Sequence, residues 1–236
     1  SGTNAGGTWS WSFGTSDGPD DNQTVTISAF DGTATTSTTF SLVVNNVPPT
    51  VTFDPGLDTT VDESGITEHT YSYTISDPVA DTVKSVSVSC GTGGTLVSGS
   101  ATNTDTAGSF KCKFLDGPAS PNVTAQATDS DGAAGNTASL PVTVNNVKPT
   151  VTMDSLTGNA GTACIGGNTV TLGCSWTDPA GTNDTYSYDV DWGDNSTHDT
   201  AGSPGATLVY GDSPVAGLTH TYAAGGPYTI DVTVND

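Results

Sequence analysis

The feature that most constrains the fold of this 236-residue chain is an internal repeat with an offset of 100 residues. The segment VVNNVPPTVTFD at residues 43–54 returns as TVNNVKPTVTMD at residues 143–154. Ser76-Asp77-Pro78 recurs in step as Thr177-Asp178-Pro179. Because this offset is the length of one small domain, the chain is predicted to be a tandem array of similar modules.

Short alternating runs fill the complete module between Pro49 and Asn146, and turn residues separate them. The seven runs are TVTF, HTYSYTI, VKSVSVSC, GTLVS, GSFKCKF, NVTAQAT and TASLPVTV. The chain is rich in Thr, Ser, Gly, Asn and Val and has no long stretch of helix formers at helical spacing. The pattern predicts an all-β protein whose modules are two-sheet, immunoglobulin (Ig)-like sandwiches.

Prolines mark the module boundaries, since proline fixes φ and stiffens a short linker. Pro48-Pro49 and Lys148-Pro149 each end one module and open the next, so the sandwiches are expected to stand end to end. Residues 1–48 are predicted to be the C-terminal part of a module, 49–147 a complete sandwich, and 148–236 a sandwich lacking its last strand.

The two incomplete modules have two explanations. A missing strand leaves an unpaired edge and an open core, so the chain is expected to be a window of a longer repetitive polypeptide. The alternative is that neighbouring subunits complete each other by strand addition, as in filament assembly.

The charge balance excludes one class of partner. The net charge is −21, with four lysines and no arginine, so a nucleic-acid backbone would be repelled. Carboxylates in this excess are either simply solvated on an acidic surface or, where several converge, neutralised by a bound cation. Calcium is the metal expected, because hard oxygen ligands abound and soft ones do not.

The four cysteines fall two to a module. Cys90 aligns with Trp192 and Cys112 aligns with Trp11, both at expected core positions, which predicts a cross-sheet disulfide in the middle module, where tryptophan is absent. A second bridge is predicted between Cys164 and Cys174, which lie ten residues apart across a Gly-Gly turn. Two disulfides indicate an oxidising, extracellular location.

No apolar run is long enough to span a membrane, and the first ten residues lack the pattern of a signal peptide. Four triplets have the form of N-glycosylation acceptors. They begin at Asn22, Asn122, Asn183 and Asn195.

Groups suited to catalysis are sparse, and no H-E-x-x-H, G-x-S-x-G or phosphate-loop motif occurs. The densest cluster of acids is YDVDWGDNSTHD at residues 188–199, but strand alternation places Trp192 in the core and turns Asp189 and Asp191 to solvent. His220, in LTHTY, is expected to be a buried, hydrogen-bonded histidine. The protein is therefore not expected to be an enzyme.

The segment TVTLGCSWTDPAGTNDTYSYDVDWGDNST, followed by LTHTYAAGGPYTIDVTVND, resembles the polycystic kidney disease (PKD) domain found in tandem in bacterial and archaeal surface proteins. The match covers residues 168–236 and weakens in the middle module, where Cys90-Gly91 replaces Trp192-Gly193. The resemblance implies Ig-like sandwiches that serve as spacers, adhesive stalks or accessory modules of secreted enzymes, some of which bind calcium.

Calcium sites are expected at the module junctions. In an Ig-like sandwich the N-terminal linker, the loop between the second and third strands and the loop between the last two strands lie at the same end. In calcium-binding members of the family that this chain resembles, a linker asparagine and an acidic loop at this end hold the ion. The alternative is that these side chains only shape their loops through Asx turns. The predicted ligands are Asn45, Asn46, Asp77, Asp81, Asp129 and Asp131 at one junction and Asn145, Asn146, Asp178 and Asp184 at the next.

These observations favour an extracellular structural protein, a segment of a filament, stalk or adhesin whose partners are neighbouring modules or other copies of itself. The alternative is an accessory module that binds carbohydrate or another surface. Trp9, Trp11 and Phe13 alternate onto one face. That face is expected to be core, because the opposite face, Thr8, Ser10 and Ser12, is polar.

Overall fold

The computed structural model describes residues 10–16, 18–77, 81–158, 169–201 and 218–236. Within these ranges the chain forms eighteen β-strands and a single 3-10 turn at Gly181–Asn183, with no α-helix. The all-β prediction is therefore confirmed. None of the described helical segments is long and apolar enough to cross a membrane.

Before residue 49 the described strands form one hairpin. Strands β1 (Gln23–Phe30) and β2 (Thr35–Leu42) pair antiparallel, and the Asp31 carboxylate accepts hydrogen bonds from the Thr33 and Ala34 amides in the turn.

The prediction that Trp11 and Phe13 lie on a core face is wrong. Trp11 and Phe13 are 47% and 46% exposed, and residues 10–16 form no strand. The matching residues of the middle module belong to a strand inside a large sheet, whereas no described strand pairs with residues 10–16. Trp9 lies outside the described residues.

Ten strands build the middle sandwich. They are β3 (Thr50–Phe53), β4 (Thr60–Asp62), β5 (His69–Ser76), β6 (Val83–Ser89), β7 (Gly94–Leu96), β8 (Thr102–Asn103), β9 (Ala107–Phe114), β10 (Asn122–Asp129), β11 (Ala138–Pro141) and β12 (Thr143–Asn145). One sheet has the order β3-β5-β9-β7, with β8 also on β9, and the other has the order β11-β10-β6. Strand β12 pairs parallel with β4.

Alternation along these strands places the large apolar residues between the two sheets. Tyr71 and Tyr73 on β5 face Phe110 and Phe114 on β9, and all four are at most 2% exposed. Val123 on β10 closes the core from the other sheet.

A second sandwich follows directly. Its strands are β13 (Thr150–Gly158), β14 (Thr169–Thr177), β15 (Ser187–Asp191), β16 (Asp199–Ala201), β17 (Leu218–Thr221) and β18 (Asp231–Asn235). The sheets are β13-β14-β17 and β16-β15-β18. Trp192 is 1% exposed and packs in a core with Leu172 and Tyr222. The predicted inward orientation of Trp192 is thus correct.

Candidate cation sites at the module junctions

Three aspartates converge at the end of the middle sandwich that faces the first linker. Asp77 follows β5, Asp81 precedes β6 and Asp129 ends β10. One carboxylate oxygen from each lies within 4.8 Å of the others. We name these three residues the first cluster.

Hydrogen bonds fix the first cluster to the linker and to its own loops. The Asn46 side-chain amide donates to Asp129 Oδ2 at 2.7 Å, and the Ala133 amide donates to Asp129 Oδ1 at 2.7 Å. Asp81 Oδ1 accepts from the Thr82 amide and the Ser130 hydroxyl. Asp81 Oδ2 is buried and has no hydrogen-bond partner among the described residues.

The predicted set for this junction is therefore only partly assembled. Asn46, Asp77, Asp81 and Asp129 come together. Asp131 is exposed and outside the cluster, while Asn45 is exposed and lines a neighbouring cavity.

Four carboxylates from two sandwiches meet at the next junction, and we name them the second cluster. Glu63 follows β4 of the middle sandwich, whereas Asp178, Asp184 and Asp236 follow β14, the 3-10 turn and β18 of the next one. One oxygen from each lies within 4.8 Å of the others. Calcium ligands lie about 2.3–2.6 Å from the ion, so opposite ligand oxygens are about 5 Å apart and the spacing fits.

Glu63 is held by the backbone that leads into the next module. Its Oε1 accepts from the Val147 amide at 2.8 Å and its Oε2 accepts from the Gly117 amide at 2.6 Å. The residue is 1% exposed. Burial raises the pKa of Glu63 despite these two hydrogen bonds, and the negative charges of Asp178 and Asp236 raise it further.

The aspartates of the second cluster carry oxygens with unmet hydrogen-bonding capacity. Asp178 is 6% exposed, and its Oδ1 accepts from the Ala180 amide at 2.8 Å. Asp178 Oδ2 and Asp184 Oδ2 are buried without a hydrogen-bond partner among the described residues. Burial, and then the charges of Glu63, Asp116, Asp178 and Asp236, raise the pKa of Asp184 to about 7. Buried carboxylates of one sign need a compensating cation or protons.

The linker asparagines predicted for this junction do not join the cluster. Asn145 Nδ2 donates to Asp62 Oδ1 at 3.1 Å on the exposed side of the β4–β12 ladder, and Asn146 is exposed. Glu63 takes the place expected for them, although it was not among the predicted ligands. The sequence offers one local sign, because Glu63 is two residues after Val61 and so shares the strand face of an apolar residue, but the pairing of β4 with β12 that brings it to the junction is not local.

The cysteine predictions have separate outcomes. Cys90 and Cys112 form a disulfide with Cα atoms 5.7 Å apart, which joins the end of β6 to β9 and so links the two sheets. Cys174 is buried in the core of the second sandwich. Its predicted partner, Cys164, lies outside the described residues.

The candidate glycosylation asparagines, Asn22, Asn122, Asn183 and Asn195, are all exposed. The Asn183 side-chain amide donates to the Ala180 carbonyl, and the Asn22 side-chain carbonyl accepts from the Val44 amide.

Each histidine pairs with a different aspartate, at a separate place. His69 pairs with Asp58 and His198 with Asp189. His220 pairs with Asp194 and stacks on Trp192 at a centroid distance of 4.9 Å. This is the hydrogen-bonded, largely buried environment predicted for His220.

No protein-family model matches the chain, and no curated protein matches it. Among solved structures it is similar to the fibronectin(III)-like modules of Clostridium thermocellum CbhA, with 19% identity over 78% of this chain and 92% of that chain and a TM-score of 0.31. The D00-D0 domain of Intimin matches with 14% identity over 78% of this chain and 91% of that chain, and a TM-score of 0.31.

Domains 4-9 of the surface layer protein SbsC match with 14% identity over 90% of this chain and 35% of that chain, also with a TM-score of 0.31. The sandwich architecture rests on the chain's own strands and registers. The assignment to the PKD family stays a prediction.

Proposed function

We propose that this chain is an extracellular spacer whose β-sandwich modules stand end to end and are stiffened by calcium at their junctions. One observation carries the proposal. The second cluster joins Glu63 of one sandwich to three aspartates of the next, and Asp178 Oδ2 is buried there without a hydrogen-bond partner among the described residues.

A cation at this place would act on the geometry of the rod. Without it, four carboxylates from two modules repel one another across the junction. With it, the four carboxylates coordinate one ion, and this coordination adds to the backbone hydrogen bond from the Gly65 amide to the Pro179 carbonyl at 3.0 Å. The hinge between the sandwiches then loses freedom. Extracellular modules need hold calcium only at about 0.1–1 mM.

The disulfide and the candidate glycosylation sites support the proposed extracellular location. A disulfide between two sheets persists in an oxidising compartment. The asparagines of the four acceptor triplets are exposed, which is compatible with glycosylation. The partners proposed for the rod are neighbouring modules and other copies of the same polypeptide.

Calorimetric titration of the chain with calcium, combined with small-angle scattering, tests this function. We expect binding near millimolar calcium, and a longer and narrower particle in calcium than in chelator. Magnesium at equal ionic strength is the control, because its smaller, strictly octahedral shell fits this spacing poorly. Unchanged scattering profiles together with no binding heat would refute the proposal.

A second candidate function, carbohydrate binding, is supported by a group of exposed aromatic rings. Trp11 stacks on Phe13 at 5.7 Å and meets Phe40 edge to face at 6.5 Å, and all three rings are more than two-fifths exposed. Exposed aromatic rings of this kind suit carbohydrate binding. We expect Trp11→Ala to abolish any glycan-induced change in tryptophan fluorescence if this surface binds sugars, and glycan screening without such a change excludes it.

A further inference from the structure

An open cavity of about 940 Å³ lies at the junction of the two sandwiches, beside the second cluster. One wall comes from residues 58–69 around strand β4, and the other comes from residues 178–183 of the next sandwich. Cavities that bind ligands typically measure about 300–1,000 Å³ and occur preferentially between domains. The size and the place of this cavity therefore make it a candidate docking site.

The rim of the cavity carries an exposed apolar side chain on a rigid turn. Ile66 is 86% exposed, more than any other large apolar residue that the structure describes. The Ser64 hydroxyl accepts from the Ile66 amide at 3.2 Å, from the Thr67 amide at 3.1 Å and from the Thr67 hydroxyl at 3.0 Å. The Ser64 amide donates to the Phe114 carbonyl on β9. Ile66 therefore cannot turn away from solvent without breaking these bonds.

Apolar residues of both sandwiches continue from this rim into the cavity. Val61 and Val147 line it from the middle sandwich and its linker, whereas Pro179 and Ala180 line it from the next sandwich. The hydrogen bond from the Gly65 amide to the Pro179 carbonyl joins the two walls. A ligand in the cavity would thus bury apolar surface against both modules at once, which is favourable.

The charged side chains of the lining are acidic, with the exception of one histidine. Asp58 and Asp62 are exposed, and Glu63 and Asp178 are buried. His69 is already paired with Asp58 at 2.9 Å. No lysine is among the described residues that line the cavity, and the chain has no arginine. The negative potential of such a cavity is complementary to a basic side chain.

The lining disfavours other classes of ligand. Carboxylates repel anionic ligands, and the net charge of −21 opposes docking of a second copy of this chain. The described lining residues include no phenylalanine, tyrosine or tryptophan on which a sugar ring could pack. Lys113, which donates to the Gly65 carbonyl at 3.3 Å, has its charge compensated by Glu68 at 4.0 Å.

We propose that this cavity is a docking site for a segment of a partner polypeptide in which a lysine or arginine neighbours an apolar residue. The cationic side chain pairs with Asp62 and Asp58, and the apolar side chain packs against Ile66 and Pro179. Because the two walls belong to different sandwiches, the docked segment bridges the junction. The docking needs no calcium and goes beyond the proposed function.

NMR titration of the whole chain with a synthetic peptide tests the docking. The probe is acetyl-Gly-Lys-Leu-Lys-Gly-amide, and two matched peptides replace either its lysines with glutamine or its leucine with serine. We expect the probe to shift the amide signals of Gly65, Ile66 and Thr67 together with those of Gly181 and Thr182. The glutamine peptide should bind about tenfold more weakly, because it lacks two ion pairs. The serine peptide should bind about fivefold more weakly, because it buries less apolar surface.

Two variants remove the two recognition elements separately. Asp62→Asn loses the charge but keeps the oxygen that accepts from the Asn145 amide group, and it should bind the probe about threefold more weakly. Ile66→Ser should weaken binding about fivefold. Both side chains are exposed, so the Tm of each variant should stay at the wild-type value. Asp231→Asn is the matched control, since it removes one exposed acid outside the cavity and should bind like wild type.

Four results would overturn the inference. They are equal binding of the lysine and glutamine peptides, wild-type binding by Ile66→Ser, equal losses in Asp62→Asn and Asp231→Asn, or shifts of the same amides by cellohexaose but not by the peptide. Repeating the titration in chelator and in calcium separates the docking from the proposed function. Binding in chelator that depends on Asp62 upholds the docking even if no calcium binds. Calcium binding without peptide binding overturns the docking alone.

Discussion

Replacing Asp178 by asparagine should have opposite effects on the stability of the second sandwich with and without calcium. The variant keeps the oxygen that accepts from the Ala180 amide. It replaces the buried Oδ2, which has no hydrogen-bond partner among the described residues, with an amide that can donate to a neighbouring carboxylate of the second cluster. In chelator, the loss of one like charge should therefore raise the free energy of unfolding. In calcium, the loss of a ligand should remove the increase in the free energy of unfolding that calcium gives the wild type.

The size of this stabilisation follows from the binding of calcium to the folded state alone. With a dissociation constant of about 0.1–1 mM, 10 mM calcium stabilises the bound state by roughly 1.4–2.7 kcal/mol. For a sandwich of this size, about 1 kcal/mol moves the Tm by about 4–8 °C. The Tm of the wild type should therefore rise by about 6–22 °C on adding calcium, and the Tm of Asp178→Asn should rise by less than the lower end of that range.

Tryptophan fluorescence during thermal unfolding measures this difference, and every variant also carries Trp9→Phe and Trp11→Phe so that the N-terminal module contributes no tryptophan signal. Trp176 and Trp192 lie in the second sandwich, and the middle module has no tryptophan. Asp231→Asn is the matched control, because Asp231 is an exposed acid of the same sandwich and lies outside the cluster; it should keep the full calcium response. Equal calcium responses of Asp178→Asn and wild type would show that the ion does not bind at this cluster.

Three further changes probe the sandwiches themselves. Replacing Cys90 and Cys112 together by alanine should cost at least about 3 kcal/mol in chemical denaturation, because the bridge closes a loop of 22 residues; an unchanged midpoint would contradict this. Gly193 has φ +77°, and a Cβ there would overlap the Thr229 carbonyl oxygen, so Gly193→Ala should lose at least ~1–2 kcal/mol in the same assay. Hydrogen bonds from Ser196 and His220 lower the pKa of Asp194 from 3.8 to about 2. The folded state thus favours the charged form, and this stability is present above about pH 4 and lost as the pH falls to about 2. The difference in Tm between wild type and Asp194→Asn should shrink across that window, and a constant difference would refute the assignment.

The strands of the middle sandwich could be read from the sequence because they alternate cleanly. TVTF became β3 (Thr50–Phe53), and the run HTYSYTI became β5 (His69–Ser76). The short strands β4 and β8 were not predicted, since three or two residues give too little alternation to recognise. Alternation was also insufficient at Trp11 and Phe13, because a strand needs a neighbouring strand to bury its apolar face.

The candidate sites, too, could be predicted only in part from the sequence. Asp77 and Asp178 were identified because each follows a strand inside a repeated S/T-D-P motif, and the fold brings strand ends together. Glu63 was missed because its contribution depends on the parallel pairing of β4 with β12, which is a contact between residues more than 80 positions apart. The same pairing carries Asn145 to Asp62 and away from the cluster.

The parallel pairing of β4 with β12 also determines how the middle sandwich responds to tension. The chain enters this module just before β3 and leaves it directly after β12. Pulling the two ends apart drives β4 and β12 in opposite directions along their length, so the hydrogen bonds of the ladder must break together rather than one after another. The carboxylate of Glu63 on the Val147 amide adds a further bond at the exit. Even after rupture, the Cys90–Cys112 bridge keeps the segment between the two cysteines from extending. The module is therefore suited to carry a pulling force between its two ends and to limit its own extension.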